Sequence, residues 1–391
     1  MQWKVCAAIR GVSIATAFWA AAVAAQQAPP TDSKRLVRPT AEEVRALVAK
    51  LQLRKQQEGW RFDVGETSAL ALASSELTGA ESGLPSRGFL RLRQEFAERA
   101  LRLYKAAKRK AGIPTGKGPH CRSRAPSFSW LDYSKVTLPQ EQRTPHTPPS
   151  CGACWAFAPI GALESGYLIE NGLTAGGNPA PVSASEQLLL NCTPNSDCGL
   201  GYVVNALDFL VRQGTTSRSE STYLGSKLQC LLNFSTWYRV VAWKPLSLDA
   251  RKVNMPTRIK EALCDNGPVT ARLIVTPSFA AYSGNGAYHQ VEAVSLSDVN
   301  AHHVLIVGWD DSKGKNGAWL IKNSWVEGWG LISENMPGYA WVEYGANLIG
   351  HHVNAVQAFH TNVPVSLLGP QYPILIGKYL ADHSDGRNEP H

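Results

Sequence analysis

Cys154 lies in the run CGACWAF, residues 151 to 157, directly before an aromatic residue and at the head of a breaker-poor stretch, Trp155 to Asn171, that reads as a helix. A cysteine at a helix N-terminus, above all with an imidazolium nearby, has its pKa drawn from about 8.5 into the range of roughly 3.5 to 7.5. Such a thiolate is a nucleophile at neutral pH and forms covalent intermediates with carbonyl compounds. The alternative for Cys151 and Cys154 as a CxxC pair is a redox or metal motif. No second ligand pair with zinc spacing and no thioredoxin-like βαβ pattern surrounds it, so a nucleophile is the better reading and no metal is implied.

The elements that must position this cysteine belong to a long chain. With 391 residues, 44% of them hydrophobic, it has enough apolar side chains for a sizeable core and is expected to form two or three folding units. The net charge of +8 is concentrated upstream of residue 120, in stretches such as Lys105 to Lys110, with no nucleic-acid or phosphate-loop motif beside it. It reads as a solvated basic face, and no nucleic-acid partner is expected. The N-terminus carries Lys4 and Arg10, then an uncharged run from Gly11 to Ala25 ending in small residues. Residues 1–25 read as a secretory signal peptide, too short in its apolar part for a membrane span, which predicts a secreted or periplasmic protein without stable membrane insertion. Export permits disulfides. Of eight cysteines, Cys6 leaves with the signal, and the seven that remain are an odd number, so at least one thiol is unpaired. A nucleophile accounts for it.

Beyond a Pro-rich entry, Thr40 and Glu43 form a capping box, and Val44, Leu47, Val48 and Leu51 recur at helical spacing as far as Gly59. A Gly-punctuated extended piece follows, then a second helix, Phe89 to Ala111. Lys108, Arg109 and Lys110 precede a cluster of Gly and Pro residues, which marks a linker and a plausible processing site. After an extended arm, SFSWLDYSKVTLPQ, come the long helix and a shorter one in SASEQLLLNC. From about Thr236 the runs WYRVVAW, PVTARLIVT, HVLIVGW, GAWLIKNSW and YAWVEYG read as strands. Helices first and strands second argue for an α+β protein of two lobes, in which a nucleophile heading a helix of one meets a base on a strand of the other at the cleft between them.

Five blocks in order, FSWLDYSKVT, SCGACWAFAPIGALESGYLIENG, SASEQLLLNC, HHVLIVGWDD and AWLIKNSWVEGWG, make the chain from about Pro126 to Gln357 resemble the papain-like cysteine peptidases, most of all their exported bacterial branch. The resemblance implies the papain-like two-lobe α+β fold, with a helical lobe over 121–235 and an antiparallel, barrel-like β lobe over 236–357. It implies Cys154 as nucleophile, His302 as general base and acid, and Asn323 as the residue orienting the imidazole, with Trp325 covering that hydrogen bond. His302 lies 148 residues beyond Cys154 and Asn323 lies 169 beyond it.

The family's oxyanion glutamine has no counterpart six residues before Cys154, where Pro148 stands. Gln142 takes its place if the Pro-rich insertion after it loops outwards. By correspondence Cys151 pairs with Cys198 and Cys192 with Cys230, while Cys121 and Cys264 are either free or paired. Gly201, in CGLGY, matches the glycine that pairs with an extended substrate, although Leu200 and Val326 stand where glycines are usual. The main specificity pocket falls on Arg272 and His303, which makes it polar and basic and favours an acidic or polar residue two places before the cut. Residues 26–120 take the place of a propeptide that blocks the cleft, and 358–391 form a C-terminal tail.

The sequence thus predicts a secreted, monomeric endopeptidase made as a zymogen, acting on polypeptide substrates without a cofactor. Its rival is a catalytically weak or inactive homologue that binds peptides or proteins in the cleft.

Overall fold

The computed structural model describes residues 38–81, 85–114, 121–142, 151–248, 256–363 and 365–368; of the two compact units of the chain, Met1–Val37 lies outside them and the second begins at Arg38. The expected signal peptide, the Pro-rich insertion at 143–150 and most of the tail also fall outside the described residues.

Helix α1 (Ala41–Glu58) begins at a complete capping box: the Thr40 hydroxyl accepts from the Glu43 N–H at 3.2 Å, and the Glu43 carboxylate accepts from the Thr40 N–H at 2.7 Å. Gly59 closes it in the left-handed region at φ 68°. The buried stripe Val44, Val48, Leu51 turns one face inward. The chain then pairs Asp63–Val64 antiparallel with Tyr282–Gly284, makes a short helical turn at Ser74–Leu77 and continues through residues 78–81.

Helix α2 (Arg87–Lys110) follows. The long helix is α3 (Cys154–Glu170), and the shorter ones are α4 (Glu186–Cys192), α5 (Val203–Arg212) and α6 (Pro256–Asn266). Nearly all of α3 is buried, as expected of a helix that is apolar all round. Seven strands form one sheet: β1 (Ser127–Ser129), β2 (Val240–Pro245), β3 (Val269–Ile274), β4 (Ala301–Asp310), β5 (Ala318–Lys322), β6 (Tyr339–Glu343) and β7 (Val353–Ala358). The order is β6-β5-β4-β3-β7-β2, with β1 added to β4, and every pairing is antiparallel. All five strand-like runs form strands, and β7 is an addition. The arm at Ser127–Ser129, expected to be extended, pairs antiparallel with β4 of this sheet. Strand β4 is central, buried along nine of its ten residues, and packs against α3.

Three disulfides join Cys121 to Cys264, Cys151 to Cys198 and Cys192 to Cys230. Cys121 and Cys264, left open by the sequence, are therefore paired, and Cys154 is the free cysteine among the described residues. No helix among the described residues is long and apolar enough to cross a membrane.

Helix α2 has its main contacts on the body of the fold. It packs on β2, with Arg93 fully buried between the lobes: its guanidinium lies 2.7 Å from the Asp208 carboxylate on α5 and 4.4 Å over the ring of Trp243 on β2. Arg93→Ala leaves Asp208 with one cationic partner fewer and uncovers Trp243, and a broken buried pair costs about 3–5 kcal/mol. Urea unfolding is expected to show a loss of that order; a change within about 0.5 kcal/mol, the usual range for surface substitutions, contradicts this account of α2.

Candidate functional site

Cys154 is the first residue of α3. Its N-cap residue, Ala153, brings no side-chain oxygen to the unpaired N–H groups of the first turn. The thiol faces the N–H groups of Cys154 and Trp155 and, from β4, that of His303, all of which favour a thiolate. Burial outweighs them. Cys154 has no exposed surface, and desolvation, with the Glu81 carboxylate adding its repulsion, pushes the thiol up to about 12.

His302 comes from β4, and its Nε2 lies 2.6 Å from Oδ1 of Asn323, just past the end of β5. The same oxygen accepts from the Ser324 N–H at 2.8 Å, so Asn323 presents an acceptor and Nε2 carries the proton. Nδ1 is left as the base, facing the main chain of Leu77 in the upstream segment. Trp325 stacks on the imidazole at 4.5 Å and seals this pair from water. Burial draws the His302 pKa down to about 3, against the pull of Asn323.

Gln142 is fully buried and held from three sides. Its N–H donates to the Ser324 carbonyl at 3.0 Å, its carbonyl accepts from the Tyr223 hydroxyl at 2.9 Å, and its Oε1 accepts from the Ser324 hydroxyl at 2.6 Å. The amide orientation is thereby fixed, and Nε2 donates to the carbonyls of Leu77 at 3.2 Å and Glu76 at 3.3 Å. The insertion after Gln142 does not keep its side chain from this position. Ser324 and Tyr223, which hold it, carry no signal in the sequence.

Leu77 belongs to the upstream segment, which lies over the cleft. Ala80 packs with Cys154, Ile274 and Ala301, and its N–H donates to the Ala301 carbonyl at 3.2 Å. On the other side, the Gly201 N–H donates to the Gly79 carbonyl at 2.7 Å and the Glu81 N–H to the Gly201 carbonyl at 3.2 Å, a parallel bridge centred on Ala80. The approach is so close that a Cβ on Gly152 would lie 1.9 Å from the Thr78 carbonyl oxygen, and one on Gly79 would lie 1.8 Å from the Gly152 carbonyl oxygen. Leu200 is 43% exposed and takes no part, while the Val326 N–H finds the Glu141 carboxylate at 2.9 Å.

Arg272 and His303 sit directly opposite each other on β3 and β4, both buried. Two residues absent from the sequence reading join them: His352, just before β7, and Glu81. Nothing local in the sequence marks either one. The site as a whole combines a thiol at a helix head, an oriented imidazole and an amide that donates to a carbonyl oxygen of the upstream segment.

Comparison with known proteins gives the family of the chain. The model of the papain family cysteine proteases matches residues 125–359, and the chain belongs to that family. Among curated relatives, cathepsin K of Gallus gallus is 31% identical over 56% of this chain and 62% of its own, and a cysteine protease of Blomia tropicalis is 28% identical over 57% and 62%. The chain thus spans 62% of the length of these relatives. The fold is shared with procathepsin L 3 of Tenebrio molitor, at TM-score 0.58 and 19% identity over 81% of this chain and 89% of that one. It is also shared with the stem bromelain precursor, at 0.57 and 20% over 82% and 90%.

With the thiol buried and neutral, iodoacetamide is expected to label Cys154 of the intact chain at neutral pH about 100-fold or more slowly than in a chain cleaved upstream of Arg87. Equal labelling rates contradict the covered state.

Proposed function

We propose that this papain-family chain is an exported cysteine endopeptidase made as a zymogen, with Cys154 as nucleophile, His302 as acid and base, Asn323 as orienter and Gln142 as oxyanion donor. The single observation that carries the proposal is the bond from Gln142 Nε2 to the Leu77 carbonyl, because it puts a peptide carbonyl of the chain's own segment where a scissile carbonyl belongs. The three disulfides fit an oxidising compartment.

Removal of the covering segment readmits water. The N–H groups at the head of α3 then stabilise a thiolate, and His302 takes up the proton. The thiolate attacks the substrate carbonyl, and the oxyanion is held by Gln142 Nε2 and the N–H of Cys154. Collapse of this intermediate breaks the C–N bond, the imidazolium hands its proton to the departing amine, and a thioester remains. Neutral His302 next draws a proton from water as the hydroxide adds to the thioester, the C–S bond breaks, and the acid product leaves with the thiolate and imidazolium restored. Asn323 keeps Nε2 protonated through both halves, so Nδ1 is the nitrogen that exchanges protons.

While the segment is in place, no substrate reaches Cys154. Residues 79 and 81 use the Gly201 backbone through a parallel bridge, so the segment crosses the cleft in the sense opposite to a substrate paired antiparallel there. Of the departures that favour an inactive peptide-binding homologue, the Gln142 spacing still leaves Nε2 bonded to the Leu77 carbonyl, and the Val326 N–H is met by the Glu141 carboxylate.

Processed protein is expected to hydrolyse casein and to take a single adduct from an epoxysuccinyl thiol-protease inhibitor on Cys154, with Cys154→Ser inactive. Gln142→Ala should lower kcat by about 10²–10³ with KM little changed. Absence of hydrolysis, together with Cys154 recovered in a disulfide, defeats the proposal.

A further inference from the structure

One buried ionic cluster is not used by any step above. Glu81 is 2% exposed; its Oε2 lies 3.4 Å from His303 Nε2, and its Oε1 lies 3.8 Å from His352 Nδ1. Arg272, 1% exposed, donates from Nε to the Glu81 main-chain carbonyl at 3.2 Å, and its charge acts on the carboxylate. Strands β3 and β4 and the residue preceding β7 therefore converge three cationic or protonatable groups on one carboxylate. An isolated buried carboxylate neutralises itself. Here burial is overcome by the imidazoles of His303 and His352, and the Glu81 carboxyl is held below its ordinary range.

The place of this cluster gives it a function. Glu81 directly follows Ala80, the residue bridged to Gly201, so its side chain leaves the backbone at the point where a cleft-bound peptide pairs with the protein. We propose that Arg272, His303 and His352 form the pocket for the substrate side chain two residues before the cut, that the pocket takes an acidic side chain, and that Glu81 is its built-in occupant. The proposal rests on the peptidase reading. The zymogen then fastens its segment with the chemistry that later selects substrate. A carboxylate side chain restores the negative charge and the His303 contact that leave with Glu81, whereas an apolar one buries a guanidinium against hydrocarbon. Glu81, His303 and His352 also bring ligand atoms within 4.8 Å of one another, a spacing suited to a cation. The Arg272 guanidinium beside them favours an anion instead.

The test uses processed protein and peptides that differ only at that position, carrying Glu, Gln, Leu or Phe. The Glu peptide is expected to exceed both the Gln and the Leu peptide in kcat/KM by about 10-fold or more, and Arg272→Gln should bring the Glu-to-Gln ratio to about 1 while Gln peptides are still cut. A preference for Leu or Phe, an unchanged ratio in Arg272→Gln, or a preference abolished by EDTA overturns the proposal. Failure of the peptidase reading looks different: no peptide is cut at all. Binding then decides, with a peptide of residues 74–81 expected to bind the processed protein about 10-fold or more tightly than its Glu81→Gln version, and equal binding overturning the pocket.

A separate observation concerns α2. Besides the Arg93 contacts, its Tyr104 hydroxyl donates to Glu170 of α3 at 2.9 Å and accepts from the His360 N–H at 2.7 Å, and Lys108 pairs with Glu170. Loss of α2 would expose Trp243, now 1% exposed, and strip partners from Asp208 and Glu170. We infer that the cut freeing the cleft precedes Arg87 and that α2 stays in the active protein, not the cut at Lys108–Lys110 that the basic run invites. Limited proteolysis followed by N-terminal sequencing of the stable end product should give a start ahead of Arg87. A stable product that starts beyond Lys110 and has shed α2 overturns the inference.

Discussion

The packing of β4 against the head of α3 is the contact on which the rest of the molecule depends. It sets a histidine strand beside a cysteine helix: consecutive residues of one strand place the His302 ring against Trp325 and Asn323, the His303 N–H against the thiol, and the His303 ring in the ionic cluster. Because side chains alternate along a strand, one slip in register would exchange the two imidazoles. The register is fixed by β3, where Leu273 opposes His302 and Arg272 opposes His303, and by β5 on the other side.

On the proposed zymogen reading, the same contact keeps the covered protein chemically quiet. Reactivity requires charge separation between thiol and imidazole, and a dry site penalises both ions. Cys154 and His302 are shifted in opposite directions, the thiol up to about 12 and the imidazole down to about 3, so the neutral pair is favoured across ordinary pH. Residues 77–81 do more than block access. They remove the water that would stabilise the ion pair, and they engage the Gln142 donor and the Gly201 backbone.

Much of this was legible in the chain because the signals are local. The capping box at Thr40 and Glu43, the run CGACWAF, and HHVLIVGW and KNSW each carry their meaning within a few residues. What was not legible is non-local. Glu81 sits in an unremarkable ELTGAESG stretch and meets His303 across 222 residues, and Cys121 meets Cys264 across 143. Strand β7 was missed because VNAVQA offers Asn, Gln and Ala where strand formers are usual, and it is the sheet on either side that makes it extended. Helix α2 reads as a helix, but a helical stretch does not say against what it packs. Its apparent continuity with the cleft-blocking segment came from its position in the chain, whereas its partners are Asp208, Trp243 and Glu170.

The central claim is that one segment keeps the Cys154 and His302 pair neutral and that its removal creates the ion pair. The most direct measurement is the protonation state of His302, followed by NMR of protein labelled with ¹⁵N-histidine before and after cleavage upstream of Arg87. In the intact chain His302 should remain a neutral imidazole, protonated at Nε2, down to about pH 4, in keeping with its depressed pKa. In the cleaved protein it should be an imidazolium through neutral pH and lose that charge in Cys154→Ser. An imidazolium already present at neutral pH in the intact chain, or a neutral ring in the cleaved one, would contradict the account.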